Sequence, residues 1–331
     1  MNTTLNHSDH PYSDLLPDIV MDAVEAQGFY CDHRLYPLNS YENRVYQVGV
    51  EDRTPLIAKF YRPGRWQQDQ IQAEHDALLQ LKEAGVSVAA PIVVNDQTLF
   101  HHNGFDYSLT NKLIGDVPEA GNLDHLYQIG ELIGAIHKAS TSWSLPERPY
   151  ASNLSRIERA SQQLLKDSCF PASLQTEYVK TIEQLLLASK QTVERSNQNN
   201  VRFIHGDCHR SNLILSEGLM TALDFDDCRM GYAVQDIWMH LSDANERQAQ
   251  LSELIEGYES FCAFDTRELD LIDVLIAERT IVYTAWIAER WSDPAFPKLF
   301  PHFSGKAYWE QHLADLNRIL DDWGTGAKHL V

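Results

Sequence analysis

Residues 205–212 read His-Gly-Asp-Cys-His-Arg-Ser-Asn, and the tripeptide Asp224-Phe225-Asp226 begins twelve residues after Asn212. The segment between them, 213–223, consists of two strand-like apolar runs separated by Ser-Glu-Gly, a sequence that favours a turn. This pattern predicts a β-hairpin. A hairpin returns the chain to its starting point, so Asn212 and Asp224 should meet at its open end.

The spacing within 205–212 is that of a kinase catalytic loop. Protein kinases read H-R-D-x-x-x-x-N there, with a base Asp five residues before a metal-binding Asn, and carry Asp-Phe-Gly further on. Asp207 and Asn212 keep the same separation. Because an amide oxygen and a carboxylate suit Mg²⁺, we predict that Asp207 and Asp224 are catalytic and that Asn212 and Asp224 bind the metal. The alternative is that Asn212 only caps a turn and Asp224 only ends a strand.

The composition narrows the possible partners. The chain has 331 residues, 44% of them hydrophobic and 22% charged, with a net charge of −20. Nucleic acids and anionic membranes bind clustered Lys and Arg, so neither is expected as a partner. A charged substrate would be basic, although the same charge can serve solubility alone. The length suits two domains or one two-lobed domain.

The cysteines and the N-terminus bear on the compartment. The five cysteines are scattered, and their odd number predicts no disulfide framework, which is typical of a reducing cytoplasm. Residues 1–14 are polar and lack the apolar core of a signal peptide. No apolar run approaches the roughly 18 residues that span a bilayer. We therefore expect a cytoplasmic monomer with a disordered N-terminus at 1–14.

The order of elements indicates the fold class. The strands predicted in the first part are residues 45–50, 56–61, 92–100 and 104–110. A helix at 67–84 lies between them, and helices dominate after them. This order predicts an α+β, bilobal protein-kinase-like fold. Residues 15–110 would form a small β-rich N-lobe with one helix that covers the nucleotide. Residues 111–331 would form a large, mostly helical C-lobe with the catalytic loop, the metal site and the acceptor site.

Two charged residues of the predicted N-lobe form a candidate pair. Lys59 is the only charge in its strand, and Glu74 falls on the apolar face of the following helix. Glu is rarely buried without a partner. In kinases such a Lys–Glu ion pair positions the α- and β-phosphates of ATP. We therefore predict that Lys59 and Glu74 serve nucleotide binding, with a snorkelling surface lysine as the alternative.

The loop that should cover the phosphates lacks the usual glycines. Kinases use G-x-G-x-x-G, whereas residues 38–46 here contain no Gly. Ser40 and Asn43 have side chains that can donate to a phosphate from a tight turn, and Ser40 is the candidate contact. A plain β-turn is the alternative.

A zinc site is a competing interpretation of the same loop. His205 and His209 have a suitable ligand spacing, but no cysteine pair has one. Zinc also leaves Asp207 and Asn212 unexplained. Cys208 lies beside the predicted base, so it is either redox-sensitive or a small buried filler.

Several stretches carry a family resemblance. They are HGDCHRSN (205–212), LDFDD (223–227), NSYENRVYQ (39–47), KFYRPGRW (59–66), AVQDIWMHL (233–241) and DPAFPKLFP (293–301). Together they resemble the aminoglycoside phosphotransferase/choline kinase superfamily, whose loop is commonly H-G-D-x-H-x-x-N. Within it they are similar to bacterial Ser/Thr protein kinases that are linked to stress responses. The likeness runs from about residue 35 to residue 320.

The resemblance implies site residues and an activity. It makes Asp207 the proton acceptor, Asn212 and Asp224 the Mg²⁺ ligands, and Ser40 and Lys59 part of the ATP site. It implies a cytoplasmic enzyme that phosphorylates protein Ser/Thr hydroxyls. Short spacing after Asp224 leaves no room for an activation loop, and Asp236 is expected to anchor the catalytic loop.

Two alternatives remain open at this stage. One keeps the fold and changes the acceptor to a small molecule such as an aminoglycoside, choline or homoserine. The other is a nucleotide-binding pseudokinase that acts as an interaction module, which the intact Asp207, Asn212 and Asp224 disfavour.

Overall fold

The structure is a computed structural model, and it describes residues 10–148, 152–196, 200–241 and 246–323. The chain divides into two compact units. Unit one comprises the described residues up to Pro118 together with Leu145–Arg148 and Ser211–Asp227. Unit two comprises the remaining described residues. The division of the chain into lobes at residues 110 and 111 stays a prediction.

Unit one is built on a five-stranded antiparallel sheet in the order β1-β2-β3-β5-β4. Its strands are β1 (Cys31–Pro37), β2 (Arg44–Val50), β3 (Leu56–Phe60), β4 (Phe100–His102) and β5 (Phe105–Asn111). Its helices are α1 (Pro17–Glu25) and α2 (Gln68–Glu83). The strand predicted over 92–100 is wrong for most of its length. Asn95 and Asp96 take positive φ values of 50° and 63°, so a turn interrupts the apolar run.

The core of unit one lies under one face of the sheet. The alternate residues Leu56, Ala58 and Phe60 of β3 are fully buried there. Tyr12 packs into the same core, and its hydroxyl donates to the carbonyl oxygens of Glu42 and Phe60 at 3.2 Å each. The disorder expected for 1–14 therefore does not extend to Tyr12, whereas residues 1–9 lie outside the described residues.

The predicted hairpin is confirmed. Strands β7 (Leu213–Ser216) and β8 (Leu219–Ala222) pair antiparallel, with Leu213 opposite Ala222. The turn contains Glu217 and Gly218, both at positive φ. Gly218 supplies this conformation without steric cost. The hairpin is bonded to the rest of unit one through Asp116 and Leu215, whose backbones exchange two hydrogen bonds.

Unit two is mainly helical, which together with the sheet confirms the α+β class. Its described helices are α3 (Leu123–Ala139), α4 (Asn153–Leu164), α5 (Gln175–Arg195), α6 (Val234–Ile237), α7 (Arg247–Glu259), α8 (Ile272–Glu289), α9 (Ala295–Leu299) and α10 (Lys306–Asp321). Strands β6 (Arg202–Ile204) and β9 (Arg229–Gly231) form a short antiparallel pair. Within the described ranges, no helix is long and apolar enough to span a bilayer.

Helices α3 and α7 approach each other through glycines. A Cβ at Gly130 would overlap the carbonyl oxygen of Leu254, and one at Gly257 would overlap that of Tyr127. The two backbones are thus in direct contact. Neither carbonyl can move without shifting its helix.

We expect Gly130→Ala to lower the free energy of unfolding by about 1–3 kcal/mol or more, because overpacking against fixed backbone strains the contact. Thermal and urea unfolding of the purified variant measure this. Lys138→Ala, an exposed change in the same helix, is the matched control and should change stability by less than about 0.5 kcal/mol. A Gly130→Ala variant as stable as the control would contradict the close contact.

Candidate active site

Lys59 lies at the centre of a group of carboxylates in unit one. Its Nζ is 2.8 Å from Asp224 Oδ1, 3.3 Å from Asp226 Oδ1 and 3.7 Å from Glu74 Oε1. In β3 it points to the face opposite the sheet core. Burial alone would lower the pKa of Lys59, but attraction by the three carboxylates outweighs it and raises that pKa. The side chain is therefore an ammonium at neutral pH.

Glu74 is buried in α2 and has two cationic partners. Besides Lys59, Arg148 Nη2 lies 2.8 Å from Glu74 Oε2. Arg148 also donates to the backbone oxygens of Asp226 and Gln70, at 2.8 and 2.9 Å. Burial raises the pKa of the Glu74 carboxyl, and Lys59 and Arg148 oppose that shift. The predicted Lys59–Glu74 contact is thus present, and Arg148 adds a closer one.

Asp226 occupies the position where kinases carry glycine, and it is buried among cations. Arg65 pairs with its Oδ2, and Asn43 donates to the same oxygen at 3.3 Å. Arg65 also contacts Asp227 Oδ1 at 2.9 Å. Burial would raise the pKa of Asp226, but attraction by Lys59, Arg65 and Arg148 lowers it. A side chain at this position therefore ties residues 224–227 to the rest of unit one.

The open end of the hairpin brings Asn212 and Asp224 together as predicted. The amide N–H of Leu223 donates to the carbonyl oxygen of Asn212 at 2.9 Å, which places the start of β7 beside Asp224. Asp224 takes a positive φ of 55°, an uncommon conformation for a non-glycine residue. Its side chain is 48% exposed. A half-exposed carboxylate at this position remains accessible to a ligand.

The donor set at this end of the hairpin fits a hard divalent cation. Asp226 Oδ1 is buried and accepts no hydrogen bond within the described part of the chain. Together with Asp224 and Asn212 it offers oxygen donors only. The described residues contain no group of three or more His, Cys, Asp or Glu suited to a metal. Mg²⁺ needs few protein ligands when phosphates and water complete its coordination shell.

The segment 38–43 is held by Asn43 rather than by Ser40. Asn43 is buried, and its Oδ1 accepts from the backbone N–H of Arg62 at 3.1 Å while its Nδ2 contacts Asp226. Glu42 Oε1 lies 3.2 Å from Arg62 Nε. Ser40 is half-buried in the bend before these contacts. Its predicted phosphate contact stays a prediction.

Asp207 lies in unit two, where both of its carboxylate oxygens face basic groups. Arg279 Nη1 of α8 is 2.8 Å from Oδ1, and His209 Nε2 is 3.5 Å from Oδ2. Burial would raise the pKa of Asp207, but the hydrogen bond from His209 and the charge of Arg279 hold it well below its usual value. Asp207 is therefore ionised throughout the physiological pH range.

Asp236 anchors the catalytic loop, as the sequence indicated. Its Oδ2 accepts from His205 N at 2.7 Å, and its Oδ1 accepts from Gly206 N at 2.9 Å. His137 Nε2 is 3.2 Å from the same carboxylate. Burial would raise the pKa of Asp236, but the His137 hydrogen bond leads the contacts that lower it. One buried carboxylate thus fixes the backbone that carries Asp207.

Cys208 faces the interior. It is fully buried, and burial raises the pKa of its thiol well above the usual value. A protonated, enclosed thiol is a packing residue rather than a redox centre. The described residues offer no zinc cluster around His205 or His209.

Sequence reasoning found Lys59, Glu74, Asn212, Asp224 and Asp207 but missed three arginines. The structure groups the first four of these within unit one and Asp207 within unit two. Arg65, Arg148 and Arg279 are the missed residues. The buried position of Glu74 could have indicated Arg148, because a fully buried carboxylate often needs more than a single partner. No sequence pattern pointed to Arg279.

The sheet with its Lys–Glu contact, the hairpin and the anchored loop define a kinase-like phosphotransferase fold. The chain belongs to the phosphotransferase enzyme family, whose model matches residues 35–272. It is 41% identical to stress response kinase A of Escherichia coli strain K12 over 312 residues, which cover 94% of each chain. It is 39% identical to the serine/threonine protein kinase RdoA of Salmonella typhimurium over 308 residues, or 93% of each.

Solved structures confirm the protein-kinase-like fold. Amicoumacin kinase hAmiN, in complex with AMP-PNP, Ca²⁺ and Ami, superposes with a TM-score of 0.71 at 19% identity, covering 91% of this chain and 92% of that one. Choline kinase LicA from Streptococcus pneumoniae superposes with a TM-score of 0.63 at 13% identity, covering 92% and 99%.

We expect Arg148→Met to lower the free energy of unfolding by about 3–5 kcal/mol, because it removes the closer partner of a buried carboxylate. Urea unfolding measures the loss. The double variant Arg148→Met/Glu74→Gln should recover part of it, since no excess charge stays buried. The exposed Arg159→Met is the matched control. Equal stability of Arg148→Met and Arg159→Met would show that Arg148 does not compensate Glu74.

Proposed function

We propose that the chain transfers the γ-phosphoryl group of ATP to Ser/Thr hydroxyls of proteins, with Mg²⁺, in a bacterial stress response. The observation that carries the proposal is 41% identity over 94% of the chain to stress response kinase A. Asp207, Asn212 and Asp224 of this chain have the spacing of a kinase catalytic loop and its metal-binding aspartate. The name of the relative RdoA, a serine/threonine protein kinase, supports a protein acceptor. We also propose a cytoplasmic setting, because the five cysteines are all free thiols.

In the proposed reaction unit one holds the donor. Lys59, kept cationic by its carboxylate neighbours, binds the phosphates of ATP. Glu74 and Arg148 fix the position of Lys59. Asn212 and Asp224 hold the metal, which when bound neutralises charge on the phosphate oxygens. These roles require positioning and charge neutralisation rather than covalent chemistry.

Asp207 acts on the acceptor. Its low pKa makes it a fully ionised but weak base, so its main role is to accept a hydrogen bond from the acceptor hydroxyl and aim its oxygen at the γ-phosphorus. As the new P–O bond forms, the bond between the γ-phosphorus and the bridging oxygen of ADP breaks, ADP leaves, and the hydroxyl proton passes to the carboxylate. Asp236 keeps the loop, and hence Asp207, in place.

We expect Asp207→Asn to lower kcat by roughly 10²–10⁴ while leaving ATP binding near normal, because only the acceptor side of the reaction is changed. Transfer from γ-labelled ATP to protein, including autophosphorylation, measures kcat. The exposed Asp270→Asn in the same unit is the control. A variant that retains more than about a tenth of the wild-type rate would remove Asp207 from the role of base.

A metal-dependent stabilisation tests the donor side. MgATP should raise the thermal midpoint, since a ligand at 100 times its Kd stabilises by about 2.7 kcal/mol. Asp224→Ala should abolish most of that rise, whereas the exposed Glu83→Ala should keep it. Thermal scans with ATP, with Mg²⁺ and with both separate the contributions. An undiminished rise in Asp224→Ala would assign the metal to Asp226 instead.

The acceptor class is tested directly. Purified protein with γ-labelled ATP and Mg²⁺ is incubated with a lysate of the host, which is then separated into protein and small-molecule fractions. Label in proteins supports the proposal. Label only in an aminoglycoside, choline or homoserine would replace it with a small-molecule kinase, and nucleotide binding without any transfer would indicate a pseudokinase.

A further inference from the structure

Unit two contains a cavity of about 520 Å³ between α8 and α10. Its walls are largely aromatic: Trp238, Tyr283 and Tyr308 line it, and Asp315 of α10 supplies a carboxylate. Arg279 of α8 lines it too, and its guanidinium is the group that contacts Asp207 at 2.8 Å. The cavity is therefore lined by the residue that contacts the predicted base.

The chemistry of this cavity favours a cation. Tyr283 is 45% exposed. Its ring stacks on Trp286 with centroids 5.6 Å apart and meets Phe300 edge-on with centroids 6.2 Å apart. Aromatic faces attract cations, most strongly planar guanidinium groups. His312 is buried, and burial lowers its pKa to about 4, so it adds no positive charge at pH 7.

The charges that line the cavity do not exclude a further cation. Among the described residues that line the cavity, Arg279 is the sole cation at neutral pH, and Asp207 balances its charge. Asp315 pairs with Arg318 at 2.7 Å, but Arg318 is 70% exposed. Exposed ion pairs of this kind contribute little free energy, so an incoming guanidinium can displace Arg318 from Asp315.

We propose that this cavity, resting on the proposed function, is a specificity subsite that binds the side chain of an arginine close to the acceptor Ser or Thr. The arginine stacks on Tyr283 and pairs with Asp315. The overall charge of −20 favours the same acceptors at long range.

The helix geometry gives the register. Tyr283 lies four residues after Arg279, about 6 Å further along α8. An extended peptide advances about 3.3 Å per residue. The arginine should therefore stand about two residues from the acceptor, with its long side chain allowing one residue more.

The first test compares peptides. One serine peptide carries arginine at a single position, moved through the three positions on each side of the serine, and matched peptides carry citrulline, which has the same shape without the charge. We expect kcat/KM for the best arginine peptide to exceed that of its citrulline match by about tenfold. Lysine at that position should fall between them.

The second test changes the cavity. Tyr283→Ala and Asp315→Asn should each bring the arginine-to-citrulline ratio of kcat/KM towards one, mainly through KM. Tyr283→Phe keeps the ring and should preserve the ratio, as should Asp321→Asn, an exposed change in the same helix as Asp315. Circular dichroism and thermal unfolding verify that each variant is folded. If Tyr283→Ala does not fold, Asp315→Asn alone provides the test.

The outcomes separate this inference from the function on which it rests. If the wild type phosphorylates no protein or peptide, the proposed function is wrong. If it phosphorylates arginine and citrulline peptides equally, or if the ratio is unchanged in both Tyr283→Ala and Asp315→Asn, the function stands and the arginine subsite is wrong.

Discussion

The buried charge cluster around Lys59 is the constraint on which unit one depends. The carboxylates of Glu74, Asp224, Asp226 and Asp227 contact three cations, Lys59, Arg65 and Arg148. Removing each charge from water costs several kcal/mol, which only close pairing recovers. The cations come from β3, from the segment before α2 and from Leu145–Arg148. The cluster therefore joins distant parts of the sequence.

A single carboxylate has the corresponding role in unit two. Asp236 accepts from two consecutive backbone N–H groups of the catalytic loop and from His137, whose other ring nitrogen is 3.0 Å from the Tyr258 hydroxyl. Gly206 takes a φ of 85°, which a side chain would oppose. This explains why a glycine stands where protein kinases have arginine. The loop is positioned by its backbone, so the side chain of Asp207 is left to pair with Arg279 of α8.

The sequence predicted what depends on local pattern and missed what depends on distant partners. The hairpin β7–β8 and helix α2 follow from short apolar runs and turn residues, and the Lys59–Glu74 contact follows from the position of Glu74 on an apolar face. Arg148 could not be predicted, because it lies 74 residues from Glu74 in a stretch without any periodic pattern. The strand expected over 92–100 failed because two residues in the left-handed region interrupt it.

In the proposed function, Arg279 would link the base with the choice of acceptor. Its guanidinium holds Asp207 ionised and at the same time forms one end of the aromatic cavity. A cation bound at Tyr283 would repel Arg279 and thereby favour its contact with Asp207 over any contact inside the cavity. Binding of a basic acceptor would then stabilise the orientation of Asp207 in which Arg279 holds Oδ1, while Oδ2, 3.5 Å from His209 Nε2, would face the hydroxyl. In this arrangement a correct acceptor improves the geometry of its own phosphorylation, which is how binding energy away from the reacting atoms can raise kcat.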